Sequence, residues 1–141
     1  MSAHRNPVQA GSRRFAFPKG DRLRQAAAFR AVYGAGVSRR VGPLVISTRP
    51  NGLGRLRLGL SVGRTAGGAV VRNRIKRRLR EAFRLERAEL PPGYDVVITV
   101  RRHLPLAVRV YRRHLSEVLV RLDRTWSKKL ENPSRPPPSS A

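Results

Sequence analysis

The chain has 141 residues, enough for one domain with tails and too few for two. Lys and Arg number 31 against 8 Asp and Glu, a net charge of +23; self-repulsion on that scale calls for a polyanion, nucleic acid ahead of an acidic membrane surface because no long apolar stretch is present. The absence of Cys excludes disulfides, Cys-ligated zinc and thiol catalysis.

Of the basic residues, 27 are Arg, whose planar fork grips phosphate and stacks on bases, although codon bias in a GC-rich genome would give the same excess. Residues 1–20 carry no apolar run and so no secretory signal, and they read as a basic flexible arm in which Pro7, Gly11, Pro18 and Gly20 disfavour a helix. Asp21 is placed to cap a helix over Arg22–Tyr33, stopped by Gly34 and Gly36. A short strand fits Val37–Val41. Two further strands fit Pro43–Arg49 and Arg55–Val62, and Asn51-Gly52 between them predicts a hairpin. Leu56, Leu58, Leu60 and Val62 alternate with Arg55, Arg57, Gly59 and Ser61, so the second strand has an apolar face and a polar one.

A Gly-rich loop, Gly63–Gly68, leads into a basic helix that Pro91-Pro92-Gly93 must end near Leu90. Tyr94–Val100 reads as a buried strand, and Leu106–Asp123 as an amphipathic helix. From Ser127 onward Pro and Ser dominate. The expected organisation is an arm at 1–20, one α/β domain at 21–124 and a disordered Pro/Ser-rich tail at 125–141.

The basic helix carries the functional argument. Six of the nine residues from Arg72 to Arg80 are Lys or Arg. At about 100° per residue, Val71, Ile75, Leu79, Ala82 and Phe83 share one sector and dock on the sheet. Asn73, Lys76, Arg77, Arg80, Arg84 and Arg87 form a stripe opposite them. An ordinary solvated face mixes acids with bases, whereas this stripe contains no acid and suits phosphate. A zipper-type basic region would need apolar heptads after it, and the prolines break the chain instead. The chain alone looks non-catalytic. None of His4, His103 and His114 has a metal-ligand partner at i+4, no acidic pair has acid–base spacing, and the Gly-rich loop lacks the Gly-Lys-Ser/Thr of a nucleotide-binding loop.

The segment SVGRTAGGAVVRNRIKRRLREAF, with Arg72-Asn73-Arg74 at its centre, resembles the signature of the bacterial ribonuclease P protein family. The resemblance runs from about Asp21 to Leu122 and includes RLRQAAAFRAVY and LPPGYDVVITVR. It implies an α+β (α/β) two-layer sandwich whose parallel strands are joined by the basic helix in a left-handed crossover. It implies a subunit of an RNA-catalysed endoribonuclease, a hydrolase that matures the 5′ end of precursor tRNA in the bacterial cytoplasm. The partners would be the catalytic RNA and the precursor, with no protein partner required. Mg²⁺ would belong to the RNA–protein holoenzyme, with no cofactor or metal held by the protein alone.

Carried over by position, Arg64, Arg72, Asn73, Arg74, Lys76, Arg77, Arg80 and Arg84 would contact the catalytic RNA. A cleft over the sheet would hold the single-stranded leader with Phe29, Tyr33, Ser47, Arg55 and Arg57. Phe29 and Tyr33, at i and i+4, fit either a stacking platform for unpaired bases or ordinary core. Ser47 stands where the family often has an aromatic, and Thr65 and Gly68 also depart from its pattern. A structural RNA-binding protein of similar fold would need the basic stripe but not the cleft.

Overall fold

A computed structural model describes residues 19–131; residues 1–18 of the expected arm and 132–141 of the expected tail lie outside it. The elements are α1 (Ala26–Gly34), β1 (Ser38–Val41), β2 (Leu44–Pro50), β3 (Arg57–Ser61), α2 (Ala69–Glu86), β4 (Tyr94–Val100) and α3 (Val108–Glu131). One four-stranded sheet runs β1-β2-β4-β3. β4 is antiparallel to β2 and parallel to β3, so α2 is the crossover between the two parallel strands.

The hairpin expected at Asn51-Gly52 does not form. β4 enters between β2 and β3, because Tyr94–Val100 is β-branched-rich and buried along almost its whole length, as a central strand is. Asn51 instead pins the loop to β4. Its side-chain amide donates to Arg55 O at 3.1 Å and to Asp95 Oδ1 at 2.9 Å, and its oxygen accepts from Leu53 N at 2.9 Å. The tight hairpin lies earlier, where Val41 pairs with Leu44 across Gly42-Pro43. Gly42 has φ +53 there, and a Cβ would meet His114 Nε2 at 3.1 Å.

Asp21 does not cap a helix. α1 starts four residues later than expected, at Ala26, and residues 22–24 run extended along the outer edge of β3, with Leu23 N donating to Leu58 O at 2.9 Å. The reason is charge: the buried Asp21 carboxylate accepts from Arg55 Nε at 2.6 Å and from Arg87 Nη2, which leaves it unable to serve an N-terminus.

The last helix also departs from expectation. It runs past Asp123 to Glu131, so the boundary placed at 124/125 falls inside α3. Trp126, 6% exposed, packs in the main core and donates its indole N–H to Thr48 Oγ1 at 2.9 Å. Lys129 Nζ lies 4.6 Å from the Trp126 ring centre.

Strand alternation divides the core. Val96 and Ile98 of β4 and Leu58 of β3 pack with Ile75, Leu79 and Phe83 of α2 and with Tyr111, Leu115 and Leu122 of α3. On the other face Val97 packs with Leu23 and Val32, flanked by Ala28 and Phe29. The long helices thus cover one face, and the short α1 covers part of the other.

Candidate nucleic-acid interface

α2 starts from Gly68, whose carbonyl accepts from Arg72 N at 2.9 Å. The preceding loop needs Gly67: its φ is +142, and a Cβ would lie 3.0 Å from Val71 Cγ1. Arg72 Nε donates to Gly67 O at 3.1 Å, so the first cation of the helix also clamps the loop. Arg64 sits exposed in a 3-10 turn, Arg64–Ala66, at the mouth of that loop. Ile75, Leu79, Ala82 and Phe83 are fully buried, as the docking argument requires.

The acid-free stripe is not uniform. Asn73 and Arg77 are exposed and Lys76 is half-buried, and Arg74, beside the stripe, is exposed too. Among the described residues, no ion pair engages Arg74, Lys76 or Arg77. The C-terminal half is committed to the fold. Arg84 makes a bidentate pair with Glu81, Nε–Oε1 3.0 Å and Nη2–Oε2 2.6 Å. Arg87 is bound to Asp21 and to Leu56 O. Arg78, off the stripe, donates to Leu106 O at 3.0 Å and fixes the loop before α3. Arg80, between the two halves, is half-buried. Burial first, and then the like charges of Arg22 and Arg24, hold its guanidinium below the ordinary value. Arg22 and Arg24, expected on a helix, lie instead in the extended segment beside β3.

The residues expected in the leader cleft lie on α1, on β2 and at or just before the start of β3. Phe29 and Tyr33 face the sheet from α1, ring centres 6.5 Å apart and tilted by 60°. Tyr33 is 45% exposed, with its hydroxyl 3.1 Å from Thr99 Oγ1. Phe29 is more enclosed: it lies over Gly59, where a Cβ would approach Phe29 Cζ to 2.7 Å. Three other expected members are drawn into the fold. Ser47 is buried between Ser38 and Val97 of the neighbouring strands. Arg57 is held bidentate by the buried Asp95, Nε–Oδ1 2.7 Å and Nη2–Oδ2 2.8 Å. Arg55 reaches Asp21. The open part of this face is therefore the Tyr33–Thr99 end.

The remaining polar groups are structural. Asp21, Glu81, Glu86 and Asp95 pair with arginines, and Tyr94 donates to Asp123 at 2.6 Å, where burial and this carboxylate push the Tyr94 phenol well up. Among the described residues no group of three or more His, Asp or Glu side chains is placed to hold a metal ion. His103 Nδ1 donates to Arg101 O at 2.8 Å, which leaves Nε2 to accept from the Tyr111 hydroxyl at 2.7 Å. No described helix is long and apolar enough to cross a membrane.

A mixed four-stranded sheet with two long helices on one face, one of them strongly cationic, and a short helix bearing an exposed tyrosine on the other defines a small α+β protein. The family model described as Ribonuclease P matches residues 17–123. The ribonuclease P protein component of Desulfovibrio desulfuricans is 39% identical over 115 residues, 79% of this chain and 88% of that one. The RNase P protein of Thermotoga maritima superposes with a TM-score of 0.64 at 33% identity, covering 71% of this chain and 96% of that one. The RNase P protein of Staphylococcus aureus superposes with a TM-score of 0.63 at 30% identity, covering 72% and 94%. This chain belongs to the ribonuclease P protein family. As a ribonuclease P protein component it is part of a holoenzyme with an RNA partner.

Proposed function

We propose that this chain binds the catalytic RNA of ribonuclease P through the N-terminal half of α2 and holds the single-stranded 5′ leader of precursor tRNA against the Tyr33 end of the sheet. The RNA carries out the phosphodiester hydrolysis. The protein positions the substrate and neutralises phosphate, so that less Mg²⁺ is needed for the two RNAs to approach each other. The action is cytoplasmic and requires no second protein.

The observation that carries this reading is the division of the cations along α2. Arg74, Lys76 and Arg77 have no ion-pair partner among the described residues, while Arg78, Arg84 and Arg87 after them are held by the fold. Three cations held outward on a docked helix are mutually repulsive until a polyanion meets them. On the opposite face, a half-exposed tyrosine fixed by its hydroxyl offers a ring surface to an unpaired base.

The test is cleavage of precursor tRNA at low Mg²⁺ by the chain alone, the catalytic RNA of the same organism alone, and the two mixed. Cleavage at the mature 5′ end in the mixture only is the expected result. Tight RNA binding without stimulation would refute the reading and leave a structural RNA-binding protein.

A further inference from the structure

The loop between β4 and α3, residues 101–107, carries an apolar tip among cations. Leu104 is 84% exposed, and Arg101 and Arg102 before it are exposed as well. A lone leucine on a loose loop is ordinary protein surface. This loop is held from three sides. Arg101 N donates to Pro43 O at 2.8 Å, one step beyond the last pair of the β2–β4 ladder. The fully buried Tyr111 of α3 ties down the middle: its hydroxyl donates to His103 Nε2 at 2.7 Å and accepts from Leu106 N at 3.1 Å. His103 Nδ1 in turn donates to Arg101 O at 2.8 Å. From α2, Arg78 Nη1 donates to Leu106 O at 3.0 Å. Leu104 is presented outward on a preset backbone, so little ordering cost remains when a partner meets it.

The charge around the tip identifies the partner. Between Asp95 and Glu117 the chain has arginines at 101, 102, 109, 112 and 113 and no acid. Among the described residues, no ion pair engages Arg101 or Arg102. α2 adds one more cation. Arg74 precedes Arg78 by four residues, so it shares the flank of α2 that Arg78 turns to the loop. A nucleotide has an apolar base face and an anionic backbone, and an apolar tip among cations matches both.

We propose that Leu104 packs against an unpaired base of the catalytic RNA, with Arg74 and Arg102 on the backbone that flanks it. The proposal rests on the RNA-binding reading above and adds a base contact to it. The occupant is the catalytic RNA and not the precursor because Arg74 belongs to the open half of α2: the RNA that lies on that half is the one that reaches the loop. Unpaired bases occur at bulges, loops and ends, so this contact selects a structure in the RNA, which a row of cations cannot do.

The experiment uses the full chain. It has no Cys, so Leu104→Cys supplies a single thiol to carry an aryl azide. Photolysis of the holoenzyme reconstituted with precursor tRNA should join position 104 to an unpaired nucleotide of the catalytic RNA. A crosslink to precursor tRNA or to a second copy of the protein, or no crosslink, overturns the proposal. Alongside, affinity for the catalytic RNA is measured against salt for wild type, Leu104→Ser and Arg77→Ala. Leu104→Ser should melt as wild type does, because the side chain is exposed. It should weaken binding about tenfold and leave the slope of log K against log salt unchanged, because an apolar contact releases no counterions. Arg77→Ala should instead lower the slope by about 1. Unchanged affinity for Leu104→Ser beside weakened binding by Arg77→Ala overturns the loop contact alone. Unchanged affinity for both variants overturns the RNA-binding reading, and the loop contact with it.

Discussion

Replacing Asp21 by Asn tests the charge arrangement that redirects the N-terminal segment. The Asp21 side chain is 9% exposed and accepts from Arg55 and Arg87, whose side chains are 49% and 26% exposed. A hydrogen bond to a charged group contributes about 1.5–3 kcal/mol when shielded from water. Arg87 lies in that range, whereas the half-exposed Arg55 is screened towards about 0.5 kcal/mol. Asn keeps one carbonyl acceptor, which offsets part of the loss. The expected destabilisation is about 2 kcal/mol at neutral pH, or roughly 8 °C in Tm for a domain of this size. The pH dependence has a definite sign. Burial alone would raise the Asp21 carboxyl, but the hydrogen bonds from Arg87 and Arg55 outweigh it and leave it below the ordinary carboxylate value. Its contribution is therefore fully present above the unfolded value, about 3.9, and is lost as pH falls through the lower folded value. Asn does not titrate there. The gap between wild type and Asp21→Asn should stay level from pH 7 to about 5 and close below about 4. Urea unfolding followed by the fluorescence of Trp126, the one Trp in the chain, measures it. A gap under about 0.5 kcal/mol at pH 7, or one that persists undiminished to pH 3, would refute the argument.

Three further outcomes are expected. Arg77→Ala should lower the salt slope of catalytic-RNA binding by about 1, whereas Arg84→Ala should leave the slope unchanged, because Arg84 is held by Glu81; equal effects in filter binding would dissolve the division of the stripe. Tyr33→Ala should weaken binding of precursor over mature tRNA by about 1–3 kcal/mol and spare the catalytic RNA, measured by titration with both tRNAs; equal loss for the two tRNAs would make Tyr33 a purely structural residue. Trp126→Ala should cost about 3 kcal/mol or more in thermal unfolding followed by circular dichroism, because it empties a core site and leaves the Thr48 hydroxyl without the indole; a cost below about 1 kcal/mol would show that the end of α3 is only loosely docked.

Local patterns were legible from the sequence. The apolar run Tyr94–Val100 fixes β4, and the 3.6-residue period of Ile75, Leu79, Ala82 and Phe83 fixes the buried side of α2. The errors arose where a distant partner decides. Asn51-Gly52 carries a hairpin signal, yet Asp95 of a strand made later captures the Asn51 amide. Asp21 has the chemistry of a cap, yet two arginines 34 and 66 positions away claim it. Trp126 sits four residues after Leu122 and continues the apolar side of the last helix, a period hidden by the Pro-rich segment that follows. The pairing of the arginines was hidden for the same reason. Arg55, Arg57, Arg77 and Arg84 look interchangeable in the chain, and only the fold shows that Asp21, Asp95 and Glu81 take three of them and leave Arg77.

The strand order has a consequence for how the chain is made. β2 finds its inner partner only when Val96 reaches Thr48, and Trp126 closes over Thr48 from 78 positions away. At about 5–20 residues per second, several seconds pass between the emergence of β2 and that of the strand that covers its edge. During that interval the nascent protein is an open β-edge on a growing polycation. Arg39, Arg40 and Arg49, all exposed on β1 and β2, put positive charge along this unfinished sheet, where like charge keeps two nascent chains from pairing edge to edge. The arginines that surround the early hairpin thus protect assembly before any RNA is met.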